Sequence, residues 1–136
     1  MAALGGPASM ERLGEYMAFA ARAAQQAGLP EARMAHLELA LEEVLVNVIS
    51  YAYEGGDGEV ELDCGPAPDG ARFVCTVRDH GRAFNPLEAE EPDLDADIDH
   101  RAVGGLGVFL VRRYCDHVDY ARAGESNQLT LAWDLA

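Results

Sequence analysis

Glu43 and Asn47 are the first residues along the chain whose types and spacing could do chemistry. At about 100° per residue they fall on one helical stripe with His36, Ala40 and Ser50, their Cβ atoms roughly 6 Å apart, while Glu42 points elsewhere. A carboxylate beside an amide at the margin of a core can serve as a proton acceptor and an oxygen ligand for Mg²⁺, the roles phosphoryl transfer demands. The plain alternative is a solvated Glu and a helix-weakening Asn with no role. A second candidate is RDHGRAFNP, residues 78–86. There the Asp79 carboxylate can accept a hydrogen bond from an exocyclic amine, and Gly81 lets backbone approach a flat ring. The same residues would also suit an ordinary β-turn. A third is Gly104-Gly105-Leu106-Gly107-Val108 running into a helix. Glycines before a helix expose backbone N–H groups at a positive dipole end, so phosphates can bind there without lysine. The alternative is a flexible hinge.

The elements that must position these residues follow from periodicity and punctuation. Helical spacing predicts a first helix over Met10–Ala27, stopped by Gly28 and Pro30, and a second over Glu31–Tyr53, whose Leu37, Leu41, Val44 and Val48 make an apolar stripe. The period then changes to two. Val60, Leu62 and Cys64 alternate with acidic residues, GPAPDG turns the chain, and Arg72–Arg78 reads as the returning strand of a hairpin. A long aperiodic region from Asp79 to Gly104 holds seven carboxylates between Glu88 and Asp99, a charge run that is usually a solvated face. Gly107–Asp116 is predicted as a third helix, with Arg112 and Arg113 near its C-terminal end. Val118–Arg122 and Gln128–Trp133 close the chain as two strands around AGESN. The order α-α-β-β-loop-α-β-β predicts an α+β two-layer sandwich, an antiparallel (mixed) sheet with helices on one face, and one domain over residues 1–136.

Composition narrows the chemistry. The 136 residues hold 10 basic and 24 acidic side chains, for a net charge of −14. All ten cations are Arg, which excludes P-loop, Schiff-base and nucleophilic lysines. The acidic balance predicts no nucleic-acid partner, and the absence of a signal-like or long apolar segment predicts a soluble cytoplasmic chain with no membrane partner. Cys64, Cys75 and Cys115 show no C-x-x-C spacing and read as reduced core residues. His36, His80, His100 and His117 lack metal-ligand spacing, and Trp133 reads as a core anchor.

Taken in order, the three sites resemble the histidine-kinase-like ATPases of the Bergerat (GHKL) fold, from about Glu31 to the C-terminus. The wording is most similar to the serine-protein kinase and anti-sigma factor branch: LALEEVLVNVISYAY resembles its N box, RDHGRAFNP its first glycine box and GGLGVFLVRR its second. The resemblance implies Glu43 as general base, Asn47 as Mg²⁺ ligand and Asp79 as acceptor for the adenine amino group of ATP. It further implies that Gly81 and Ala83 line the adenine pocket and that Thr130 supports the base near Asp79. Gly104, Gly105, Leu106 and Gly107 would cradle phosphates, with residues 87–103 as ATP lid and Arg101 in reach of the γ-phosphate. The implied activity is phosphorylation of a serine on an anti-anti-sigma (STAS-domain) protein, coupled to sequestration of a sigma factor. The alternatives are a nucleotide-gated protein-binding module without transfer, and the detached catalytic part of a sensor histidine kinase. Two departures stand out. Relatives usually open with a strand, which Met1–Pro7 is too short and Gly-rich to supply, so that sheet edge and a homodimer built on it are put in question. Tyr51 stands where many relatives carry His.

Overall fold

The computed structural model describes residues 2–53, 57–85 and 111–135. Helix α1 (Leu13–Ala27) follows a 3₁₀ turn at Met10–Arg12 and ends at Gly28, whose φ is 86°. Helix α2 (Glu31–Asn47) starts after Pro30 and passes at Val48 into a π turn, Val48–Ala52. The predicted second helix therefore covers the right residues but changes its winding immediately after Asn47. Strands β2 (Glu59–Pro66), β3 (Arg72–Asp79), β4 (His117–Ala123) and β5 (Ser126–Asp134) lie where alternation placed strands, each longer than predicted.

The opening segment corrects the sequence reading. Ala2–Pro7 is a strand, β1, antiparallel to β2, with Leu4 opposite Leu62 and Pro7 opposite Glu59. Weak intrinsic strand preference is overridden here by tertiary contacts. Tyr16, fully buried on α1, donates its hydroxyl to the Pro7 carbonyl at 2.7 Å, and Ala8 N–H reaches the Gly58 carbonyl at 2.9 Å. A Cβ on Gly6 would lie 3.0 Å from that hydroxyl and 3.3 Å from an Arg12 guanidinium nitrogen, so the glycine that argued against a strand is what admits Tyr16. Pro7, without an N–H, is tolerated in such a sheet-edge strand.

The sheet is antiparallel throughout, in the order β1-β2-β3-β5-β4. This is the predicted α+β class, with the extra strand at one edge. One core joins Tyr16, Ala20 and Ala24 of α1 to Leu37, Leu41, Val44 and Leu45 of α2, and both to Val60, Leu62, Phe73, Val77, Leu131 and Trp133 on the sheet. Successive strand residues face opposite ways. The helix-facing row at one end of the sheet is therefore Gly6, Val60, Asp79, Asn127 and Arg122, paired in register across all five strands. Cys64 and Cys75 are buried and free, their sulfurs 3.3 Å apart, and burial pushes the Cys75 thiol well up, as it pushes Cys115 to about 12. Thiols held protonated in this way behave as the reduced core residues the sequence suggested. Among the described residues no helix is long and apolar enough to cross a membrane.

Candidate functional site

Glu43 and Asn47 lie on the last turns of α2, Asn47 being its final residue. Both are half-buried, whereas Glu42 is exposed, as the helical phase predicted. Among the described residues the side chains of Glu43 and Asn47 make no hydrogen bond or ion pair. Two polar side chains at the margin of an apolar core, committed to no neighbour, are available to a ligand. The π turn that follows re-aims the chain beyond Asn47 and carries the Ala52 carbonyl to Arg82 N–H, at 3.3 Å. Helix α2 and the turn after β3 thereby form one continuous surface.

Asp79 ends β3 and is 6% exposed. Its Oδ1 accepts from Gly81 N–H at 2.9 Å and from the Asn127 side-chain amide at 3.0 Å. Asn127, directly opposite in register and equally buried, was missed by sequence reasoning. Its Nδ2 also donates to the Arg82 carbonyl at 2.7 Å, while its Oδ1 accepts from Phe84 N–H at 3.3 Å and from the Tyr120 hydroxyl. From β4, Arg122 donates to the Gly81 carbonyl at 2.9 Å. The turn is thus held by side chains of the β4–β5 hairpin. The signal that could have found Asn127 was an Asn at the head of a predicted strand, but turn chemistry explains such a residue equally well.

Gly81 has a structural reason besides the one expected. A Cβ there would meet the Ala52 carbonyl oxygen at 2.2 Å, so the turn can lie against the π turn only without a side chain. Tyr53 reinforces the same junction, accepting from His80 N–H at 2.8 Å and donating to the Glu59 carbonyl. Ala83 is exposed on the segment leaving the turn. Thr130 is not brought to Asp79, which corrects its expected place. It pairs with Thr76, hydroxyl oxygens 3.5 Å apart, and strand alternation puts it on the sheet face opposite Asp79. On that outer face Arg78 binds Asp63, Glu61 and Gln128, and the Asp63 hydrogen bond is the main reason its guanidinium pKa is raised. Gly104, Gly105, Leu106 and Gly107, Arg101 and the lid over residues 87–103 lie outside the described residues.

Of the predicted third helix, residues 111–114 are described and helical. Their end is pinned from two sides. The Tyr114 ring stacks on His36 of α2 with centroids 5.1 Å apart, and its carbonyl accepts from Trp133 Nε1–H at 2.7 Å. Arg33 of α2 pairs with Asp116 at 2.9 Å. His36, on the same α2 stripe as Glu43, therefore packs against the segment that follows the Gly104–Gly107 sequence.

Residues 6–133 match the family model described as Histidine kinase-like ATPase domain. The chain is 28% identical over 95 residues to the serine/threonine-protein kinase BtrW of Bordetella bronchiseptica, covering 70% of this chain and 66% of that one. It is 29% identical over 101 residues to the serine-protein kinase RsbW of Listeria monocytogenes, covering 70% and 62%. It thus spans a little under two thirds of the length of these curated relatives. The crystal structure of the RsbU and RsbW domains of Rv1364c from Mycobacterium tuberculosis superposes on 98% of this chain and 32% of its own, with a TM-score of 0.62 at 14% identity, a likeness of fold. Its curated relatives are named as serine kinases, and a match over nearly the whole chain, on the α+β frame described above, makes this protein a member of the histidine kinase-like ATPase domain family.

Proposed function

We propose that residues 1–136 form one ATP-binding domain that acts as a serine-protein kinase and anti-sigma factor of the partner-switching type. The observation that carries this reading is the junction of two surfaces. A buried Asp79, one oxygen already held by two donors, is tied through Gly81, Arg82 and Ala52 to the helix end that presents the uncommitted Glu43 and Asn47. In this reading the adenine amino group donates to the remaining Asp79 oxygen. Glu43 takes the proton from the acceptor serine hydroxyl, a step in which a positioned base contributes about 10²–10⁴-fold. Gly104, Gly105, Leu106 and Gly107 hold the phosphates through backbone N–H groups, and residues 87–103 cover them.

The residues fit a Mg²⁺ ion that arrives with the nucleotide. Among the described residues no group of three or more His, Cys, Asp or Glu could hold a metal. Asn47 offers a single neutral oxygen, the donor expected where triphosphate oxygens and water supply the rest. When bound, the ion would neutralise the triphosphate and align the γ-phosphate for transfer.

The kinase reading implies a STAS-type anti-anti-sigma substrate and a sigma factor held when that substrate is phosphorylated, both met in the cytoplasm. β1 supplies the sheet edge that the sequence reading found missing, so a homodimer built on that edge again has its strand. The test is incubation of the chain with labelled ATP and the anti-anti-sigma protein encoded nearest to it, followed by location of the phosphorylated residue. Phosphoserine on the partner supports the reading. ATP-dependent complex formation without transfer selects the binding module instead, and phosphohistidine on a partner selects the histidine-kinase fragment.

A further inference from the structure

Asn127 is keyed in a single orientation. Its amide has two N–H donors and two lone pairs, and all four are used. The donors go to Asp79 Oδ1 and the Arg82 carbonyl. The lone pairs take Phe84 N–H and the Tyr120 hydroxyl. Turning the amide over would set its oxygen against Asp79 Oδ1 and the Arg82 carbonyl, two acceptors, and its N–H groups against Phe84 N–H. Both Asp79 and Asn127 are 6% exposed, so water does not repair such mismatches. A hydrogen bond in this place is therefore specific in sense as well as in partner.

We propose that Asn127 is the positioning residue for base selectivity: it presents only donors to Asp79, occupies Oδ1 together with Gly81 N–H, and so reserves Oδ2 as an acceptor for a purine 6-amino group. This rests on the adenine-pocket reading of Asp79 proposed above. Guanine carries a carbonyl oxygen at the equivalent position and would meet Asp79 acceptor to acceptor. Because Asn127 sits on β5 and takes its key from β4 and from the turn, selectivity is set by the β4–β5 hairpin and not by the Asp79 turn alone. Tyr120 is the outer part of this lock, its hydroxyl touching Asn127 and its strand lying at the sheet edge among the described residues.

The experiment is titration of the full chain with ATP and GTP, in the native form and as Asn127→Asp, Tyr120→Phe and Asp79→Asn, with circular dichroism to confirm folding. A hydrogen bond to a charged group implies roughly a 10- to 150-fold native preference for ATP. Asn127→Asp puts a second carboxylate against the first, and two carboxylates at that distance hold one proton between them on the Oδ1 side, which leaves Oδ2 an uncharged acceptor, weaker for adenine's amino group and less repulsive to guanine's carbonyl. Its ATP:GTP preference is expected to fall about tenfold or more, with ATP weakened and GTP not. A merely structural role would weaken both nucleotides alike. Tyr120→Phe removes only a hydroxyl from a half-buried ring, so it decides the matter if Asn127→Asp does not fold. Loosening the amide there is expected to narrow the preference about two- to fivefold, on the order of a partial loss of one such bond. A native preference abolished by Asp79→Asn but unchanged in Tyr120→Phe and in folded Asn127→Asp overturns the role of Asn127 and leaves the adenine pocket standing. Equal binding of ATP and GTP by the native chain overturns both.

Discussion

Replacing Gly81 by alanine tests whether the turn after β3 must lie against the π turn after α2. The new methyl carbon would stand 2.2 Å from the Ala52 carbonyl oxygen, 2.7 Å from its carbon and 2.8 Å from its Cβ. Two of those three atoms are backbone, so no side-chain rotation relieves the clash. Overpacking of this kind costs about 1–3 kcal/mol. The Arg82 N–H bond to the same carbonyl, at 3.3 Å, must lengthen or break as the turn retreats, adding about 1 kcal/mol. The expected destabilisation is roughly 2–4 kcal/mol. With an unfolding entropy of about 2.1 cal/mol/K per residue, that lowers the melting temperature by roughly 7–14 °C if the chain unfolds as a unit. Gly14→Ala is the control. It lies in the first turn of α1, where a Cβ would meet nothing within 4 Å, and should stabilise by up to about 1 kcal/mol through helix propensity. Urea unfolding of the two variants decides the point. A Gly81→Ala protein within about 0.5 kcal/mol of the parent, the range of a neutral surface change, would show that the turn is free of the helix end and refute the argument.

Glu43→Ala should retain ATP binding while phosphoryl transfer to the partner falls about 10²–10⁴-fold; single-turnover transfer with bound ATP measures it, and an unchanged rate removes Glu43 from the proposed mechanism. Asn47→Ala should weaken nucleotide binding in the presence of Mg²⁺ far more than in EDTA, because a single neutral oxygen matters only to the metal-bound form. Calorimetric titrations with and without the ion report the difference, and equal losses would contradict the assignment. A third expectation concerns acid stability. Partial burial alone would raise the Asp116 carboxyl, but the Asp134 N–H, the Arg33 hydrogen bond and charge, and His117 together hold it below its usual 3.8. A carboxyl depressed by folding contributes stability above its unfolded value that is lost as pH falls through the folded one. The parent should therefore exceed Asp116→Asn in stability near neutrality, with the gap closing below about pH 4; a gap that persists at pH 2 in urea titrations would exclude this origin.

Much of the frame was legible in the chain because it depends on local pattern. Apolar spacing located α1 and α2, alternation located β2, β3, β4 and β5, and the phase of one helix set Glu43 and Asn47 on the core margin while leaving Glu42 exposed. Motif order was enough to reach the ATPase family, and Asp79 as a buried carboxylate at a strand end follows from β3 running one residue beyond its predicted limit. What tertiary structure alone decided depends on partners distant in sequence. β1 exists because Tyr16 and β2 complete its hydrogen bonds, a stabilisation that a Gly-rich hexapeptide does not reveal by itself. Asn127 reaches Asp79, and Thr130 does not, because β5 inserts between β3 and β4 in one register, and a shift of a single residue would exchange the two faces. The glycine at position 81 was visible as a turn residue. That its missing side chain makes room for the end of α2 is a fact of packing, settled only where two segments of the folded chain meet.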